Sequence, residues 1–117
     1  MATFKAFLID PKGRTVSAIL LSDESQLEQF YKHIGCHDVD ALTFPNGDTA
    51  WIDDEGPFVG GQDYFLLPDI HHDPIAGKCV VTGTVWDNKG DNLADCKTTV
   101  AELVASITWM DHIAIAA

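Results

Sequence analysis

The chain has 117 residues, 46% apolar and 21% charged, enough for one globular domain that folds without disulfides or a structural metal. Seven Lys and Arg against eighteen Asp and Glu leave a formal charge of −11; such a surface repels phosphates and anionic lipids, so neither direct nucleic-acid binding nor membrane attachment is expected. No apolar run approaches the ~18 residues that cross a bilayer, and MATFKAFLID lacks the apolar core of a signal peptide, so a cytoplasmic location is expected.

Residues 3–21 read as a β-hairpin. The runs FKAFLI and TVSAILL flank Asp10-Pro11-Lys12-Gly13, where Pro suits the first central position and Gly13 is expected to supply a positive φ. A helix is predicted over residues 23–34. Leu27, Phe30, Tyr31 and Ile34 share one face, Ser22 or Asp23 can cap its start, and Gly35 can close its end.

A second hairpin is predicted over residues 38–53, with VDALTF and TAWID joined by Pro45-Asn46-Gly47-Asp48. Residues 57–73 read as loop, interrupted by an apolar run at 64–67 that suits an edge strand. Residues 75–85 are rich in β-branched side chains, and the turn at 86–91 leads to a brief strand at 93–96. A last helix begins at Thr99, where Thr99 and Glu102 have capping-box spacing and Val100, Leu103, Val104 and Ile107 repeat at helical intervals. The apolar tail, 109–117, adds a strand, packs on a neighbour or frays. The expected fold is α+β: one two-layer domain over residues 1–117, a twisted, mainly antiparallel sheet of about five to seven strands with two helices.

Cys36, Cys79 and Cys96 are an odd set without CxxC spacing, which suits reduced thiols. His33, Cys36 and His37 form one concentration of metal-ligand types and His71, His72 and Asp73 another, but their spacing matches no zinc signature. Residues 87–92 begin like a calcium loop, yet the twelfth position, which needs a bidentate Glu, is Thr98. Asp53, Asp54 and Glu55 precede Gly-Pro as an exposed turn would. Cys36 beside His37 lies at a helix C-terminus, which raises a thiol pKa, and Gly60-Gly61 lacks the following Lys of a phosphate loop. No catalytic residue, metal or cofactor is therefore expected.

The charge is unevenly distributed. From His33 to Gly77 there is no Lys or Arg, while nine acids occur: Asp38, Asp40, Asp48, Asp53, Asp54, Glu55, Asp63, Asp69 and Asp73. This stretch has two readings, a solubilising surface or a docking face for a basic patch on another protein, including one that normally holds DNA. Of the three tryptophans, Trp51 suits a core, whereas Trp86 and Trp109 are interface candidates.

Several segments together resemble a family of short, uncharacterised proteins of phages and mobile elements, classified as a domain of unknown function. They are the first hairpin and helix, His33-Ile34-Gly35-Cys36-His37-Asp38-Val39, Trp51-Ile52-Asp53-Asp54-Glu55-Gly56, and the run from Pro74 to Gly83. The chain departs from the family at Gly60-Gly61-Gln62-Asp63 and Tyr64-Phe65-Leu66-Leu67, where a Leu-Pro-Asn stretch and a short helical segment are usual. The resemblance carries no catalytic residues. It implies a non-catalytic accessory protein that binds a basic host protein, with inhibition of a DNA-handling defence enzyme as the specific version. Two alternatives stay open: a binder of a nucleotide-like ligand, which needs Arg14, Lys78, Lys89 or Lys97 to converge, and a metal-dependent enzyme using His37, His71 and His72. A homo-oligomer is compatible with all three.

Overall fold

A computed structural model describes residues 3–56, 63–87 and 90–110. The chain order is β1 (Thr3–Asp10), β2 (Thr15–Ser22), α1 (Gln26–Ile34), β3 (Val39–Thr43), β4 (Thr49–Asp53), β5 (Tyr64–Leu66), β6 (Ile75–Ala76), β7 (Cys79–Asp87), β8 (Gly90–Ala94), α2 (Val100–Ser106) and β9 (Thr108–Trp109). The α+β class, the mainly antiparallel sheet and the two helices are as expected. A six-stranded antiparallel sheet runs β2-β1-β7-β4-β3, with β8 also on β7, and a three-stranded sheet runs β6-β5-β9.

β7 organises the large sheet because its residues can be buried on both faces. Val80 packs with Ala6, Leu21, Phe30 and Ile34 on the α1 side. Cys79 and Val81 face the opposite way, onto Phe65, Leu67, Ile75 and Leu103 from the small sheet and α2. The two helices therefore cover opposite faces. Burying a side chain such as Phe30 or Leu103 stabilises the fold by about 2 kcal/mol.

Local chemistry moves several boundaries. The first hairpin closes over four residues, with Asp10 paired to Thr15. The Asp10 carboxylate accepts the Lys12 N–H at 3.0 Å, and the left-handed residue is Arg14 (φ 53°), the last of the loop, rather than Gly13. α1 starts at Gln26, three positions later than residue 23, because Ser22 continues β2 opposite Thr3. Neither Ser22 nor Asp23 is the cap; Ser25 holds that position in a left-handed conformation without a side-chain bond. Gly35 ends the helix as expected, its N–H bonded to the Tyr31 carbonyl at 2.8 Å. On the predicted apolar face Phe30 and Ile34 are buried and Tyr31 is half-buried, but Leu27 is exposed.

The β3–β4 turn follows its sequence closely. Gly47 takes φ 93°, a conformation that a side chain would disfavour, and the Asn46 side-chain oxygen Oδ1 accepts the Asp48 N–H at 2.9 Å. Tyr64–Leu66 is not an edge strand; it lies in the middle of the small sheet, between β6 and β9. The start of the 109–117 tail supplies β9, while residues 111–117 lie outside the described residues.

Candidate functional site

Pairing of β3 with β4 collects acids that the sequence leaves apart. Val39 lies opposite Asp53 and Asp40 opposite Ile52, and the Asp54 N–H donates to the Asp38 carbonyl at 3.1 Å. Asp38, Asp40, Asp53, Asp54 and Glu55 thus occupy one end of a single hairpin. Asp53 is half-buried and the other four are exposed. The Asp53 carboxylate accepts the Glu55 N–H at 2.9 Å and the Asp40 carboxylate accepts the Ala41 N–H at 2.9 Å, which orients both.

The other four predicted acids do not join them. Asp48 is a correction: at 0% exposure it is no part of the surface. Its carboxylate accepts the Thr98 hydroxyl and N–H at 2.6 and 2.8 Å, the Cys96 thiol at 3.1 Å and the Lys97 N–H at 3.1 Å. Burial pushes its pKa up, and the bonds from Thr98, Cys96 and Lys97 outweigh this, holding the carboxyl below the usual aspartate value. Sequence reading missed this network because an Asp after Asn-Gly has the look of an ordinary turn residue, and nothing local points to Thr98. Asp63 is half-buried and lines a groove of about 230 Å³ with Asp10, Lys12, Ile34 and Lys78. Asp69 borders another groove, about 440 Å³, with Phe44, Asn46, Glu102 and Ser106. Asp73 is exposed just ahead of β6.

Cations do not stay as distant in space as in sequence. Lys78 reaches the end of α1, where burial first, then Lys32 and Lys78, hold the His33 pKa below its usual value. A charged His33 at the helix C-terminus, which the dipole alone would favour, is therefore disfavoured. Lys78 lines the smaller groove, whereas the Lys97 ammonium donates to the Asn46 carbonyl at 3.3 Å, beside the larger one. Lys89 lies outside the described residues.

The ligand-type side chains are not gathered. Among the described residues no group of three or more His, Cys, Asp and Glu is placed to hold a metal ion. His37 and His72 are exposed, while His71 is half-buried in the turn after Leu67. Burial, then Asp53, pushes the Cys36 thiol up to about 11; burial, then the Asp48 bond, takes Cys96 to about 12; burial raises Cys79 as well. All three are protonated at neutral pH and poor nucleophiles. Residues 57–62, including Gly60-Gly61, lie outside the described residues.

Trp51 is half-buried, stacked on Phe30 at 4.6 Å between ring centroids, and its indole N–H donates to the Thr82 hydroxyl at 2.9 Å. Trp109 is half-buried and packs against the core, its ring 6.2 Å from that of Phe65. The side chain of Trp86 lies outside the described residues.

A family model for a domain of unknown function, DUF3846, matches residues 4–105. The chain belongs to that family. Both the acidic hairpin end and the Asp48 network lie within the DUF3846 domain, whose matched span runs from β1 into the last turn of α2. No curated protein and no solved structure matches the chain. No described helix is long and apolar enough to cross a membrane.

Proposed function

We propose that this DUF3846 domain is a non-catalytic accessory protein of a phage or mobile element that binds a basic host protein in the cytoplasm through the acidic end of the β3–β4 hairpin. A DNA-handling defence enzyme, whose cationic surface already suits a polyanion, is the specific partner class. The observation that carries the reading is the register of β3 on β4, with Val39 opposite Asp53, which brings Asp38, Asp40, Asp53, Asp54 and Glu55 together. Exposed carboxylates of one sign raise the rate of encounter with a basic surface and discriminate against acidic ones.

The test is affinity capture from host lysate over a salt series, comparing the natural chain with a form carrying Asp38→Asn, Asp40→Asn, Asp53→Asn, Asp54→Asn and Glu55→Gln. A basic protein retained at low salt, released as salt rises and missed by the neutralised form is expected. Equal capture by both forms, or no partner at any salt, sinks the proposal.

A further inference from the structure

β2 is the outermost strand of the large sheet. β1 pairs with it from Thr3↔Ser22 to Asp10↔Thr15, and among the described residues no strand lies on its other side. The backbone groups of a strand point alternately to its two sides. The Ser22 N–H donates to the Gln29 side-chain oxygen at 2.9 Å, and the Ser22 carbonyl accepts from the Gln29 amide nitrogen at 3.0 Å. Ser22 therefore presents its backbone outward, where Gln29 mimics a neighbouring strand. By alternation Val16, Ala18 and Leu20 point outward too.

This edge lacks the usual protections. Natural edge strands are kept from pairing by charge, proline, bulges or shortness. β2 is eight residues long, TVSAILLS, with no charge or proline, and pairs with β1 without a bulge. The opposite edge, β3, has five residues and carries Asp40. On β2, Ala18 is exposed and Leu20 is 67% exposed, beside a shallow apolar groove of about 270 Å³ that Phe7 and Ile19 also line.

We propose that a second copy of this chain pairs antiparallel along β2, about a two-fold axis at Ala18. In that register Ala18 meets Ala18 and Val16 meets Leu20, so the outward N–H and C=O groups of all three residues find partners. Moving the axis to Ser17 sets Leu20 against Arg14 in the turn; moving it to Ile19 sets Val16 against Ser22, already held by Gln29. The Ala18 register also brings the turn before β2 of each copy, which carries Lys12 and Arg14, to the end of β2 of the other, where Asp23 and Glu24 follow, all four exposed. Charge complementarity therefore selects the antiparallel arrangement, a closed and self-complementary interface. Elsewhere two chains at −11 repel, which makes the uncharged strip with opposite charges at its ends the face on which copies can meet. Screening that repulsion strengthens the pair, the reverse of the salt dependence expected for a basic partner.

Sedimentation of the full chain over a concentration series tests this. The natural chain should reach twice its 12.8 kDa mass, more readily at moderate than at low salt. Ala18→Pro, which removes the N–H at the axis, and Leu20→Lys should both be monomeric, with unchanged circular dichroism, while Thr43→Lys on the far edge still dimerises. Lys12→Glu should weaken association roughly tenfold, and adding Glu24→Lys should restore it. If Ala18→Pro does not fold, Leu20→Lys decides. A chain monomeric at every concentration and salt, a dimer that Leu20→Lys leaves intact, or a charge reversal without restoration overturns the proposal.

Discussion

The Asp48 carboxylate accepts the Thr98 hydroxyl at 2.6 Å, a bond that spans 50 positions of sequence. It ties the β3–β4 turn to the segment that enters α2. Asp48→Asn keeps the size of the side chain but turns an amide donor toward groups that are themselves donors. Hydrogen bonds to a buried charge are among the stronger ones, so a loss of about 3 kcal/mol is expected in urea unfolding.

The same carboxyl makes stability depend on acid. Its pKa is lower in the folded chain than the ordinary 3.8, so below that value the unfolded state binds more protons. Its contribution is complete above 3.8 and is lost as pH falls through the folded-state value. Unfolding free energies of the natural chain and Asp48→Asn should therefore converge as the solution is acidified, and a gap that stays constant would contradict this.

Gly83, in β7 opposite Ala94, is expected to tolerate no side chain. A Cβ there would run into the carbonyl of Asp95, backbone that is itself fixed because the Lys5 N–H donates to the Asp95 carboxylate at 2.8 Å. Gly83→Ala should cost about 2 kcal/mol, read as a lower thermal midpoint.

The start of α2 offers a smaller, additive test. The Thr99 hydroxyl accepts the Glu102 N–H at 3.1 Å, and the Glu102 carboxylate accepts the Thr99 N–H at 3.1 Å. Thr99→Ala should destabilise the fold by about 1 kcal/mol, and Glu102→Ala by less, without altering the sheet.

The thiols predict an alkaline limit. Cys36 and Cys96 ionise at about 11 and about 12 in the fold against 9.0 for a free thiol. Above 9.0 the unfolded chain loses protons that the folded chain keeps, so stability should fall as pH rises through that value. At neutral pH a thiol reagent should modify the native protein slowly and all three cysteines at once on unfolding.

Features built from neighbours in sequence were legible before the structure. The Thr99–Glu102 capping box and the Asn46-Gly47 turn each act within four residues, so their chemistry is visible in the order of the letters. Features that depend on distant partners were not. Tyr64–Leu66 lies centrally because Ile75 and Trp109 flank Phe65. Asp48 is buried because Cys96, Lys97 and Thr98 arrive to satisfy it, and Gln29 turns back onto Ser22 instead of letting that residue cap α1. The nine acids were evident as composition, but only strand register separates the five at one hairpin end from the buried one.

β7 takes its partners from residues 7–9, 49–51 and 90–94. During synthesis from the N-terminus, the first 78 residues can make two hairpins but lack the strand that joins them, and an isolated hairpin is marginal in water. The inner edges of β1 and β4 stay open until the last third of the chain emerges. Assembly is therefore late and all at once, and a ribosome stalled before residue 79 holds a chain with two unfinished half-sheets, the form most exposed to misassembly and proteolysis.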